Sequence, residues 1–386
     1  MKRFTENHDS SRRQFIKKGA VAFSGAALAS TWSNANGASA ETISPPQAVS
    51  GSAKRRVIID TDPGTDDALA IFLALCSPEL RVEALTPVAG NVPLEITLPN
   101  ALRLLEIAGR ADIPVAAGAS KPLVRRLITA SYAHGENGLG GVQFPEPKVK
   151  PVAESASQLI RQIVRKSPGE ITIIALGPLT NLAIAFRDDP ALAGMVQSIV
   201  LMGGSLSRGN VTPSAEFNIY ADPEAAQAVF HAGAPITMVG LDVTRKAVLR
   251  EEHIQAFEAG DNPMSRAAGQ ITRATMDRIR KAGNNGGPVM HDSLAVAAFL
   301  DPTVVTLHDY YIEVETSGEF AAGETLGYNR APIHRSAPVA NSAAAPSELM
   351  TFKPNAKVAM ELDAERFFKL LVGRITTGSA VRTGND

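Results

Sequence analysis

Between Asp60 and Asp67 the chain reads DTDPGTDD, four carboxylates in eight residues. At neutral pH that much like charge is unfavourable unless something positive sits among the oxygens, and a hard divalent cation with oxygen ligands is the simplest candidate. Part of the pattern has a plainer reading. Aspartate is favoured at a helix N-cap and in the first helical turn, and Pro63-Gly64 is ordinary turn chemistry, so Asp66 and Asp67 can simply start a helix. Capping accounts for one or two carboxylates and leaves Asp60 and Asp62 without a reason.

The flanking elements say where such a cluster stands. Val57, Ile58 and Ile59 read as a buried parallel strand and the residues from Asp66 onward as a helix, so DTDPGTDD is the turn between them. Downstream, strand-like runs at 82–88, 115–117, 171–176, 199–202 and 236–239 alternate with helical patterns at 94–108, 156–166 and 223–232. The expected fold class is therefore α/β, a single large domain with a mostly parallel central sheet flanked by helices. In such a sheet ligands bind at the C-terminal ends of the strands. The segments that follow the strands (60–67, 87–91, 176–181, 202–205 and 240–242) are rich in glycine and in side chains able to coordinate or hydrogen-bond, which suits a concave rim. Beyond Gly240 the alternation weakens. Residues 251–282 read as mostly helical, with Arg273, Arg278, Arg280 and Lys281 on a solvated face; a Gly/Asn-rich break precedes His291-Asp292; 304–315 reads as a strand and 363–375 as a closing helix.

With 386 residues, 45% of them hydrophobic, the chain can bury a substantial core, and a formal net charge of −1 gives no electrostatic footprint for nucleic acid. The expected partner is a small molecule. The single cysteine, Cys76, cannot form an internal disulfide and reads as a core residue. At the N-terminus, Ser11-Arg12-Arg13-Gln14-Phe15-Ile16-Lys17 precedes an alanine-rich apolar stretch at 20–29 and then Ala38-Ser39-Ala40. That succession of basic, apolar and small residues resembles a twin-arginine export signal over 1–40, and the apolar part is too short for a transmembrane helix. The expectation is export, with a periplasmic location and no stable membrane anchor once the signal is removed. A flexible leader (41–56), the folded domain (57–376) and a frayed tail (377–386) complete the expected organisation.

Six blocks in order carry a family resemblance: DTDPGTDDALA, PVAGN, HGENGLGG at 134–141, LMGGSLSRGN at 201–210, AEFNIYADPEAA at 215–226 and MHDSLAV at 290–296. Together they resemble the inosine-uridine preferring nucleoside hydrolases, from about Val57 to the C-terminal helix. The resemblance implies a single α/β domain with a calcium ion (Ca2+) at the strand ends, hydrolysing the N-glycosidic bond of ribonucleosides to free base and ribose. By position it implies that Asp62, Asp67, Asp292 and the main-chain carbonyl of Leu176 ligate calcium, and that Asp62 also activates water. It places Asp66, Asn91, Met202, Asn210, Glu216, Phe217 and Asn218 around the sugar, with His134 and His291 near the base and His291 as proton donor to it. Asp60 falls back to supporting the turn. A homo-oligomer, dimer or tetramer, is also implied.

These residue types suit the chemistry, because cleavage builds positive charge on the ribose, releases negative charge onto the base and needs a water on the opposite face. Two departures from the family stand out. Arg278, Arg280 and a Gly/Asn-rich stretch occupy the helix and loop where the inosine-uridine enzymes carry tyrosines, which leaves base preference open, and a Pro/Ala/Ser-rich loop at 337–348 has no counterpart. Two rival readings start from the same residues. Asp60 to Thr65 superficially resembles the nucleophile loop of haloacid-dehalogenase-type phosphatases, with Asp60 attacking phosphorus and Asp62 as acid/base, but that gives Asn91, Glu216, Asn218 and His291 nothing to do. An exported nucleoside- or sugar-binding protein without turnover would have lost the general base or a metal ligand, and none is missing.

Overall fold

The computed structural model describes residues 53–329 and 353–378. The expected export signal, most of the leader, the 337–348 loop and most of the C-terminal tail lie outside the described residues. In chain order the strands are β1 (Arg55–Thr61), β2 (Leu80–Pro87), β3 (Ile171–Ala175), β4 (Ser198–Met202), β5 (Ile236–Val239), β6 (Val305–Val314), β7 (Thr325–Tyr328) and β8 (Ala356–Leu362). They form one sheet in the order β2-β1-β3-β4-β5-β8-β6-β7. Every pairing from β2 across to β8 is parallel, and β6 runs antiparallel to both of its neighbours.

The helices are α1 (Thr65–Leu75), α2 (Leu94–Ile107), α3 (Ser131–His134), α4 (Ala156–Lys166), α5 (Thr180–Asp188), α6 (Phe217–Ala221), α7 (Pro223–Phe230), α8 (Leu241–Thr244), α9 (Glu251–Ala259), α10 (Pro263–Lys281), α11 (His291–Leu300) and α12 (Ala364–Thr377). Side chains alternate across a strand, and β1 shows the consequence. Val57 and Ile59 enter a core shared with α1, α2, α9, α10, α11 and α12, whereas Ile58 enters the opposite core with α4, α5 and α7. Among the described residues no helix is long and apolar enough to cross a membrane.

One expectation needs correction. Residues 115–117 do not form a strand: Val115 makes a single parallel bridge to Leu85, because Pro114 has no N–H to extend the ladder. The mostly helical 251–282 segment holds two helices, α9 and α10, with Asn262 capping the second through Ser265 N–H and Pro263 at its first position. Strand β8, between β5 and β6, was not foreseen; its mixed burial gives no clean period.

This topology fixes the place of DTDPGTDD. Strand β1 lies between β2 and β3, and the chain leaves it toward opposite sides of the sheet, so a crevice opens at its C-terminal end. Helix α1 starts in that crevice and is buried at all eleven residues. Its Leu69, Ile71, Phe72, Leu73 and Leu75 are almost wholly inaccessible, and each such side chain contributes about 1.5–3 kcal/mol on burial. Helix α11 packs against α1 and is buried from Asp292 to Ala298. Both helix starts are therefore held by the core, and with them the acidic residues in their first turns.

Candidate active site

The floor of the crevice is a group of carboxylates. Asp66, Asp67 and Asp292 can each offer an oxygen such that the three lie within 4.8 Å of one another, and all are buried. Asp67 is tightly held: its Oδ1 accepts from Thr61 Oγ1 (2.5 Å) and Asp62 N (3.3 Å), and its Oδ2 from Gly64 N (2.9 Å) and Asn91 Nδ2 (3.0 Å). The bond from Gly64 is half of a capping box, so this carboxylate also secures the start of α1. Asp292 lies within hydrogen-bond reach of Asp67, an approach that two ionised carboxylates sustain only with a proton or a cation between them.

Asp62 sits beneath these residues, fully buried. Its Oδ2 accepts the backbone N–H of Asn91 at 2.6 Å, and its Oδ1 has no hydrogen-bond partner. Two glycines make room for it. A Cβ on Gly90, after β2, would stand 2.1 Å from Asp62 Oδ2, and one on Gly177, after β3, would stand 2.5 Å from Oδ1. Burial pushes the Asp62 carboxyl well above the usual carboxylate range, with the charge of Asp67 adding to it; for Asp292 burial acts first and then the charges of Asp66, Asp67 and Asp62. Among the described residues no Lys or Arg pairs with any of the four; the His134 ring comes nearest, its Nδ1 3.8 Å from Asp66 Oδ1, and it is an ion-pair partner only when protonated.

An orphaned buried oxygen, two carboxyls in contact and an all-oxygen donor set together fit a hard divalent cation. The compact trio contains Asp66 where the sequence resemblance put Asp62, while Asp62 Oδ1 is one of two buried side-chain oxygens among the described residues that lack a hydrogen-bond partner, the other being Asp60 Oδ1 outside the cleft lining. The Leu176 carbonyl lines the cleft and accepts Asn218 Nδ2 at 2.8 Å. Asp60 stands apart. It does not line the cleft; its Oδ2 accepts Thr86 Oγ1 (2.7 Å) and Asn181 Nδ2 (2.8 Å), and burial pushes its carboxyl up to about 7. That placement suits a tie between β1, β2 and α5 and removes Asp60 as a phosphoryl nucleophile.

Above the floor opens a cleft with about 510 Å³ of unfilled space. Asp66, Asn91, His134, Leu176, Met202, Asn210, Glu216, Phe217, Asn218, His291 and Asp292 all line it, so only Asp62 and Asp67 of the expected site residues lie below its surface. Glu216 caps α6: its Oε2 accepts Gly204 N (2.9 Å) and Ile219 N (3.2 Å), and burial pushes its carboxyl up to about 7. His291 Nδ1 is 2.8 Å from Thr244 Oγ1 at the end of α8, which orients the ring, and desolvation lowers its pKa. His134 Nδ1 accepts the Thr65 backbone N–H at 3.2 Å, so the ring hydrogen sits on Nε2. Burial pushes this histidine down to about 4, with Asp67 opposing and Arg278 reinforcing the shift.

Sequence reasoning missed Thr244 and the rim residues Ala130, Tyr132 and Ala133. Thr244 follows the recognised 240–242 segment, and Tyr132 stands two residues before the HGENGLGG block; proximity was the available signal.

Comparison with known proteins gives one consistent picture. The family model described as inosine-uridine preferring nucleoside hydrolase matches residues 57–369. A pyrimidine-specific ribonucleoside hydrolase of Citrobacter koseri is 42% identical over 322 residues, covering 83% of this chain and 97% of that protein. A solved plant nucleoside hydrolase superposes with a TM-score of 0.77 at 38% identity, covering 84% of this chain and 100% of that one. A purine-preferring ribonucleoside hydrolase from Gardnerella vaginalis does so with a TM-score of 0.74 at 32% identity, covering 83% and 98%.

Proposed function

The chain belongs to the inosine-uridine preferring nucleoside hydrolase family, enzymes that cleave N-glycosidic bonds of ribonucleosides, and we propose that it does so with calcium at the carboxylate floor and Asp62 as general base. The observation that carries this reading is the set of buried carboxylates at the crevice floor with no cationic side chain among them and Asp62 Oδ1 left without a partner. Calcium held by Asp62, Asp67, Asp292 and the Leu176 carbonyl would supply Lewis acidity toward water and toward the ribose hydroxyls.

The chain's own residues do the rest. Asp62 takes the proton from the attacking water, and the Asn91 N–H on its Oδ2 holds the carboxylate in place while it does so. Asp66, Asn210, Glu216 and Asn218 hold the sugar hydroxyls, and the Glu216 carboxylate favours the positive charge that develops on the ribose. Asn91, with Met202 and Phe217, closes the walls around the sugar, and its main-chain and side-chain N–H groups fix Asp62 and Asp67 together. His291, lowered by burial and steadied by Thr244, meets the leaving base with a ring N–H that hydrogen-bonds the negative charge developing there, and the departing base takes its proton from solvent.

Pyrimidine ribonucleosides are the first substrates to try, since relatives 42% identical are named pyrimidine-specific. Incubating the purified protein with uridine, cytidine and inosine, with and without a calcium chelator, and assaying free ribose and free base tests the reading. Ribose release abolished by chelation and restored by calcium is expected; nucleoside binding without turnover would make this a binding protein instead. Export by the twin-arginine route to the periplasm rests on the 11–17 segment and the stretch after it, and fractionation of cells carrying Arg12→Lys with Arg13→Lys should trap the protein in the cytoplasm.

A further inference from the structure

The outer wall of the cleft carries a side chain that the reaction above does not use. Tyr132, in α3, is 73% exposed and lines the cleft rim. Of the large apolar side chains left exposed among the described residues (Val124, Tyr132, Phe320 and Tyr328), it alone lines the cleft. The turn that bears it is gripped on every side. Ala130 N–H donates to Asn91 O at 2.9 Å, Gly140 N–H to His134 O at 2.8 Å, and Thr65 N–H to the His134 ring at 3.2 Å. From α10, Arg278 Nη2 donates to the Ala133 carbonyl. A four-residue helix fastened at 130, 133 and 134 has little freedom, so the exposure of Tyr132 is built and not a frayed end.

With the sugar held by the polar floor, the base is the part of the substrate that reaches the rim. Every nucleobase offers a π face whatever groups lie along its edge, and a fixed phenol ring is a surface on which it can stack. We propose that Tyr132 is the base-stacking residue of this enzyme and that Arg278 is the positioning residue that holds its turn through the Ala133 carbonyl. The proposal rests on the ribonucleoside hydrolase reading. Stacking selects by ring area and not by edge groups, so the site takes ribonucleosides of both ring sizes and the bicyclic bases gain more from Tyr132.

The test is steady-state kinetics of the purified protein on inosine and uridine. Tyr132→Ala is expected to raise KM for inosine about tenfold, within the range of base–aromatic stacking, with a smaller rise for uridine and little change in kcat. Tyr132→Phe, which keeps the ring, restores KM. Arg278→Met raises KM in the same pattern, and Arg278→Lys, which can still donate to the carbonyl, recovers most of it. Because Tyr132 is exposed, its removal leaves the melting temperature unchanged, which separates loss of stacking from loss of fold. Wild-type KM values in Tyr132→Ala overturn the stacking role, and wild-type values in Arg278→Met overturn the positioning role. A wild-type protein that cleaves neither nucleoside overturns the hydrolase reading and this proposal with it.

Discussion

The floor and the rim of the cleft are built by opposite means. At the floor, Asp62, Asp67 and Asp292 are buried and ride on the end of β1 and on two helices sunk in the core, and Asn91 donates to both Asp62 and Asp67. At the rim, α3 is one turn long with no buried residue, and elsewhere residues 283–286 of the break before α11 are exposed. On the proposed reading the floor carries the part of the reaction common to all ribonucleosides, where small displacements matter most, and the rim meets the base, the part that differs between substrates. A floor buried in the core beneath a rim open to solvent lets one reaction serve several bases.

The sharpest way to break that contrast is at Asp62. In Asp62→Asn the amide oxygen can still accept the Asn91 N–H, so the fold is kept while the base and one anionic ligand are lost. A fall in kcat/KM on the order of 10⁴ is expected, the upper end for a general base. Activity within tenfold of wild type would show that the floor does not work as described. Gly177→Ala asks the same question sterically. Its methyl would press on Asp62 Oδ1, and a displacement of that kind costs roughly 10²-fold in kcat/KM; unchanged activity would mean that Asp62 has room to move.

Glu216→Gln joins activity to stability. The wild-type carboxyl has a folded pKa of about 7 against an ordinary 4.5, raised mainly by burial. Ionisation therefore favours the unfolded chain: the group costs nothing below about pH 4.5, and its destabilisation grows between pH 4.5 and 7 and is constant above, at up to about 3 kcal/mol. The glutamine variant should melt higher than wild type at pH 8 and at the same temperature near pH 4.5, in the absence of nucleoside. Its turnover should fall about 10²-fold, since the charge facing the ribose is gone. Equal melting temperatures at pH 8 would show that the carboxylate is not isolated by burial.

The same contrast explains what could be read from the chain alone. The strand before DTDPGTDD, the segments after β2 to β5 and the residues that line the cleft were legible because turn glycines, carboxylates and amides fall at strand ends in a fixed order. Helix α11 was not marked as a helix, because a segment apolar on every side has no amphipathic period to detect. Strand β8 hid for a different reason: it alternates poorly and pairs with strands far away in sequence. Tyr132 was passed over since a lone aromatic in a one-turn helix has no pattern at all. Only the fold brings it over the cleft.

The smallest expected effect comes from outside the cleft lining. Gly286 lies in the exposed break before α11, its φ is not in the left-handed region, and a Cβ there would meet only the end of the Asn284 side chain at 3.1 Å. Alanine narrows the conformations open to the unfolded chain without straining the folded one, so Gly286→Ala should add about 0.4–1 kcal/mol of stability. No site residue is touched, and kcat/KM for uridine and inosine should stay within twofold. A tenfold loss on either nucleoside, with the melting temperature preserved, would mean that 283–287 folds over the base during turnover. The rim would then be a moving part of the site, and Tyr132 one side of a closing pair.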